Sequence, residues 1–251
     1  MLRQKANKVS FYLSTIGRRY ELEVCYYRCM GKSGPKPKGK VKLRWSPNFA
    51  YAIGLMVSDG NLSPDGRHIN FTSKDLEMIQ LFQKSLGIEV HIGRKANSTS
   101  KEKSYFVTQF SDVLFYKFLM SIGLMPNKSK LIGEIKVPAK YFFDFLRGSF
   151  DGDGCTYSYW DKRWRSSFMF YTSFVSASPP HITWIREEIY KRIGIHGHVT
   201  MNGTHVLQQL KYAKADSLKL LRKMYYSRSA MCLSRKRLKI VKMLDTVGEK
   251  L

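Results

Sequence analysis

Acidic side chains are scarce in this 251-residue chain: 19 Asp and Glu stand against 43 Lys and Arg, a formal charge of +24. Cysteine is scarce too, at four residues. Cys25, Cys29, Cys155 and Cys232 lack the paired spacing and the histidine partners of a zinc site, so they read as reduced intracellular thiols. No apolar run reaches the roughly 18 residues of a membrane span. The start, Met1-Leu2-Arg3-Gln4-Lys5, leads into mixed sequence without the apolar stretch of a secretory signal. The expectation is therefore an intracellular protein that does not engage a membrane. At 43% apolar and 14% aromatic residues, the chain is no disordered polycation, and its length can bury a substantial core. A folded surface this basic repels itself, so a polyanion, above all nucleic acid, is the partner that the charge asks for.

The surplus is spread along the chain, at +10 over residues 1–45, +4 over 46–140 and +10 over 141–251. Val9 to Tyr27 has the apolar content of a helix or short hairpin. Gly31 to Lys40, rich in Gly, Pro and Lys, reads as a flexible basic linker. A boundary near residue 45 follows, with 1–45 as a basic arm and 46–138 and 139–251 as two halves.

Those halves repeat one pattern. Ser46-Pro47 opens a helical run that ends at Asp59-Gly60, with Ser as N-cap and Pro in the first turn. Ninety-four residues later, Phe145 to Gly154 has the same Gly, four residues, then Asp-Gly. Aromatic and β-branched stretches flank Asp65-Gly66 in one copy and Lys162-Arg163 in the other, which predicts two hairpins, the second longer by 13 residues. A helix follows each, closing on Gly87-Ile88 and Gly194-Ile195, and then a further strand pair and helix. The order predicted is αββαββα, twice: an α+β fold of tandem pseudo-symmetric units.

Gly54 and Gly148 sit inside helices, where each costs about 1 kcal/mol relative to Ala. A matched pair predicts that the two helices touch backbone to backbone. Asp59 and Asp153 end the same helices, where the macrodipole disfavours a carboxylate by a few tenths to about 1 kcal/mol. Either Asp-Gly alone could be a turn signal. Two acids brought together are the arrangement that a hard divalent cation and a phosphodiester would use.

The segments Ala52–Gly60 (AIGLMVSDG) and Leu146–Gly154 (LRGSFDGDG) resemble the signature helices of the single-chain LAGLIDADG homing endonucleases. In the first segment Val57 stands where an acid is frequent. The likeness covers residues 46–245. It implies two antiparallel sheets forming a saddle over double-stranded DNA, cleavage across the minor groove, and Mg²⁺ or a similar divalent metal held by Asp59 and Asp153. It further implies a basic residue after the last core helix of each half; the texts around Lys128 and Lys236 resemble that position. Either lysine could instead contact phosphate. Asp151 looks like the motif's non-catalytic acid, placed to cap or pack.

Long polar side chains on the strands suit base edges. Candidates in the first half are Asn61, Arg67, Asn70, Arg94, Lys95, Asn97, Lys103 and Gln109. The second half offers Tyr157, Tyr159, Lys162, Arg163, Arg165, Asn202, His205, Gln208 and Lys211. Arg235, Arg237 and Lys239 are expected to reach phosphates. Trp160 to Tyr171 reads as alternation of core and groove faces, and His181, His196 and His198 as packing or phosphate contacts. The reading as a whole is a monomeric, Mg²⁺-dependent endonuclease with an internal pseudo-twofold and a long asymmetric site. An intron RNA maturase and a non-catalytic DNA-binding regulator are the alternatives on the same fold. Trimming the N-terminal arm is expected to flatten the salt dependence of DNA binding, measured as the slope of log affinity against log salt; an unchanged slope would deny the arm any phosphate contacts.

Overall fold

Ser46 starts the first helix as its position predicts, its hydroxyl accepting from the Phe49 amide at 3.1 Å with Pro47 in the first turn. The computed structural model describes residues 39–96, 103–201 and 207–251. Val9 to Tyr27, Cys25, Cys29, Asn97, Asn202 and His205 lie outside the described residues.

The first half runs α1 (Pro47–Ser58), β1 (Gly60–Leu62), β2 (His68–Ser73), α2 (Leu76–Leu86), β3 (Ile92–Lys95), β4 (Tyr105–Ser111) and α3 (Val113–Ser121). The second runs α4 (Phe142–Asp153), β5 (Cys155–Trp160), β6 (Phe168–Ser176), α5 (Pro179–Ile193), β7 (His198–Met201), β8 (Gln208–Tyr212) and α6 (Lys214–Met224), followed by α7 (Ser234–Asp245). Each half holds a four-stranded antiparallel sheet, ordered β1-β2-β4-β3 and β5-β6-β8-β7. This is the α+β tandem predicted, with one helix more. The Gly-Ile closures serve the same purpose twice: Gly87 and Gly194 end their helices in the left-handed region at φ 66° and 65°. Ile88 and Ile195 are buried immediately after.

Two expectations change. Among the described residues, 39–45 adjoin the first half rather than standing apart from it. The Lys40 and Val41 amides donate to Asp112 Oδ2 at 2.6 and 2.9 Å, while Oδ1 of the same carboxylate caps α3 through the Phe115 amide. Residues 39–45 thus belong to the first half, because Asp112 is a buried acid that those amides satisfy. The other change is α7, whose text reads as a basic run although Ile240, Met243 and Leu244 form a buried stripe at helical spacing.

Strand alternation sorts core from solvent. On β2, Ile69 and Phe71 are buried while Asn70 and Thr72 are half-buried on the opposite face. Phe71 stacks on Phe82 of α2 at 4.4 Å, and Phe150 of α4 meets Phe174 of β6 edge-on at 5.7 Å. Helices α1 and α4 run between the sheets, with Phe49 to Met56 buried without interruption.

Their crossing has no room for side chains at its centre. A Cβ on Gly54 would lie 2.1 Å from the Phe145 carbonyl oxygen, and one on Gly148 would lie 2.1 Å from that of Tyr51. Backbone cannot swing aside as a side chain does, so Gly54→Ala and Gly148→Ala are each expected to destabilise by about 3 kcal/mol in urea unfolding. Gly133→Ala, with open space around it, should stay within about 0.5 kcal/mol. Equal effects at all three positions would contradict the close crossing.

Candidate active site and nucleic-acid face

The crossing brings two helix C-termini together. Asp59 is the C-cap of α1 and Asp153 the last residue of α4. A Cβ on Gly152 would stand 3.0 Å from Asp59 Oδ2, which places the first carboxylate against the residue preceding the second. Burial raises the pKa of both acids, and the charge of Asp153 raises Asp59 further, to about 6. Without a counter-charge the pair resists full ionisation.

Two lysines answer that charge in pseudo-symmetric fashion. Lys128, in the 3-10 turn Lys128–Lys130, sends its ammonium to the Ser58 and Gly60 carbonyls at the end of α1. Lys236 of α7 donates to the carbonyls of Phe150 (2.6 Å), Gly152 (3.1 Å) and Gly154 (2.6 Å) at the end of α4. Each binds carbonyls clustered at a helix end and opposes the negative end of its dipole. Both carboxylates favour charge on both lysines, yet burial prevails: the Lys128 pKa falls, and that of Lys236 falls to about 8.

Asp151 has the structural role expected of it. Its carboxylate accepts from Tyr51 Oη across the helix crossing (2.7 Å), from the Leu233 amide (2.7 Å) and from Tyr225 Oη (3.3 Å). Burial lifts its pKa to about 6, against the pull of these hydrogen bonds. It ties together both halves and the start of α7.

The donor set at Asp59 and Asp153 fits a hard divalent cation, since carboxylate oxygens are what such ions prefer. Among the described residues no three His, Cys, Asp or Glu side chains gather to enclose an ion. Its remaining ligands would have to be oxygens of water or of a bound phosphodiester.

The sheets sort the predicted nucleic-acid residues. Asn61, Asn70 and Gln109 face one another across β1, β2 and β4, on the face away from the Phe71 core. Lys95, opposite Tyr105, shares that face. Arg94 does not: it pairs with Phe106 on the helix-facing side and lays its guanidinium over that ring at 4.5 Å. Arg67 sits in the β1–β2 turn beside Asp65 (3.7 Å), and Lys103 just before β4.

On the second sheet Tyr157, Tyr159 and Lys211 occupy the outer face. Tyr157 and Tyr159 stack against Tyr171 at 5.0 and 6.2 Å. Lys162, Arg163 and Arg165 lie in the exposed β5–β6 loop, where Arg163 pairs with Asp161. Gln208 falls on the other side of the sheet. Leu210 and Tyr212 point inward, so Gln208 shares their side and Gln209 is the outward amide. That alternation was there to be read.

The basic cluster of α7 is turned to internal use. Arg235 pairs with Asp75, the N-cap of α2, at 2.9 Å. Arg237 donates to the Arg228 carbonyl at 2.7 Å, and Lys239 to that of Thr156. These contacts help hold α7 in place, while the Arg235 side chain stays largely exposed. Among the histidines, His181 is buried, bonded through Nδ1 to the Gly133 carbonyl at 2.7 Å. His196 packs on Tyr190, and His198 stands opposite Lys211 on the outer face.

No protein-family model matches the chain, and no curated protein matches it. Solved structures do. The I-LtrWI LAGLIDADG homing endonuclease bound to target DNA aligns at TM-score 0.52 and 11% identity, over 80% of this chain and 91% of that one. I-DmoI in complex with DNA and Ca aligns at 0.51 and 12%, over 77% and 97%. Full-length WhiA from Thermatoga maritima aligns at 0.50 and 13%, over 83% of this chain, which spans 63% of the WhiA chain. The fold is the LAGLIDADG fold.

The raised Asp59 pKa has a stability consequence in the metal-free protein. A carboxylate whose folded pKa exceeds its unfolded value costs stability as pH rises from about 4 to 6, because the folded state then holds the extra proton. Asp59→Asn is therefore expected to stabilise the protein in EDTA at pH 7.5 by about 1–3 kcal/mol, a gain that shrinks toward pH 4. Thermal melts across that range check it; a gain independent of pH would count against the assignment.

Proposed function

We propose that this chain is a metal-dependent, site-specific double-strand DNA endonuclease of the homing type, working as a monomer whose two halves take the place of two subunits. One observation carries the reading: Asp59 and Asp153 meet at the ends of two helices that cross backbone to backbone, where ordinary stability would place no acids. Two antiparallel DNA strands present two phosphodiesters related by a twofold axis, and the crossing presents two acids related by a pseudo-twofold. The DNA in the I-LtrWI and I-DmoI structures and the Ca in the latter support a duplex substrate and a divalent ion; we assign the ion as Mg²⁺.

The protein's own groups divide the work. The outer faces of the two sheets grip the duplex, and the positive charge spread over both halves adds affinity by displacing counterions. Asp59 and Asp153 would hold the metal against the strands. A bound divalent cation supplies charge neutralisation at a phosphoryl oxygen and activation of water. Lys128 and Lys236 fix the helix ends from which the acids project, and their ammonium groups keep positive charge beside them. The N-terminal arm would add phosphate contacts.

A DNA-binding regulator on this scaffold would need neither acid, and an intron RNA maturase would need no cutting of DNA. Incubating the protein with a plasmid that carries the intron-free allele of its host gene separates the three. Cutting is expected with Mg²⁺, binding without cutting with Ca²⁺. Asp59→Asn or Asp153→Asn should slow cutting by about 10²–10⁴-fold while binding in Ca²⁺ persists. Unimpaired cutting by both variants would refute the catalytic assignment; binding without any Mg²⁺-dependent cutting would leave the regulator as the better reading.

A further inference from the structure

Residues directly opposite one another in an antiparallel sheet share a face, with Cα atoms about 4.5–5.5 Å apart. Register therefore decides which side chains form a continuous row. On the first sheet the row that begins two residues beyond Asp59 is Asn61–Asn70–Gln109. Three carboxamides side by side span about 10 Å, close to three base-pair steps of about 3.4 Å. Thr72 Oγ1 donates to Asn70 Oδ1 at 3.1 Å. That bond orients the amide and leaves its N–H groups and the second oxygen lone pair free.

The row that begins two residues beyond Asp153 differs in kind. It runs Cys155–Ser173–Lys211–His198. Cys155 Sγ and Ser173 Oγ lie 3.1 Å apart and satisfy each other, so the reaching groups are Lys211 and the exposed His198. The first row thus carries carboxamides that donate and accept at once; in the second, Lys211 only donates, with the His198 imidazole beside it. In the major groove adenine presents an acceptor beside a donor, the complement of a carboxamide, while guanine presents two acceptors, the complement of a lysine.

Resting on the endonuclease reading above, we infer that the target is asymmetric in composition beside the cut. Base pairs carrying adenine flank it on the side of the first half, read by Asn61, Asn70 and Gln109. A guanine flanks it on the side of the second half, read by Lys211 with His198.

Selection of duplexes from a randomised library by the full chain in Ca²⁺ gives the sequence, and base analogues then test the atoms. Replacing a selected adenine by 7-deazaadenine removes only N7 and should weaken wild-type binding by about 5- to 150-fold. Asn70→Ala and Gln109→Ala should bind the normal site more weakly and lose this sensitivity. Lys211→Met should lose sensitivity to 7-deazaguanine while keeping the adenine preference. The wild-type measurement stands alone, so a variant that folds poorly does not decide the matter. Half-sites of equal composition, or wild-type indifference to the analogues, would overturn the row assignment and leave the endonuclease reading intact. A library that emerges unenriched overturns both.

Discussion

With the Phe145 and Tyr51 carbonyl oxygens each 2.1 Å from where a Cβ would stand, α1 and α4 meet at Gly54 and Gly148 through bare backbone. Everything at the candidate site depends on that approach. Two helices held apart by ordinary side chains would end at separate places on the surface, and their terminal acids would be two unrelated carboxylates in water. With the two brought together, Asp59 is half-buried and Asp153 more open; burial opposes ionisation of both, the charge of Asp153 adds to the cost at Asp59, and the pair shares a need for positive charge. The helix glycines, unfavourable locally, create the electrostatic problem that a cation resolves.

The lysines show how the fold contains that problem without removing it. Lys128 and Lys236 occupy the carbonyls at the two helix ends, so two dipoles pointing the same negative end into one place are each countered by a nearby ammonium. Their attachment is unequal. Lys128 belongs to a short turn of its own half, whereas Lys236 rides on α7, which is fastened to the first half by Arg235–Asp75 and Ser234–Glu77 and to α4 by Leu233–Asp151. The second lysine is thus held by contacts to both halves. The asymmetry extends to the helix crossing, where Asp151 accepts from Tyr51 while the matching position of the other copy is Val57.

Much of this was legible beforehand, for identifiable reasons. The paired Gly–Asp–Gly spacing revealed both halves, since a repeated local cost implies a repeated tertiary use. The Gly-Ile helix closures and Asp65-Gly66 turn were readable because left-handed backbone at a helix end and a tight turn demand few residue types. Strand residues were harder. Arg94 looked like a base reader, yet it faces the helices, because one position along a strand reverses the side a residue occupies. Gln208 and Gln209 exchange roles for the same reason. In α7 the text shows only a basic run; that these side chains reach Asp75 and the Arg228 and Thr156 carbonyls is visible in the structure alone.

The sequence by itself determined the tandem order of elements, the close helix crossing and the two acids at its ends, since these rest on spacing along one chain and on residues with sharp conformational demands. Tertiary structure alone decided that Asn61, Asn70 and Gln109 form one row, that Lys128 and Lys236 grip opposite helix ends, and that residues 39–45 close onto Asp112. Each of these joins residues far apart in sequence, and neither strand register nor a long side chain's choice among partners leaves a periodic trace in the text.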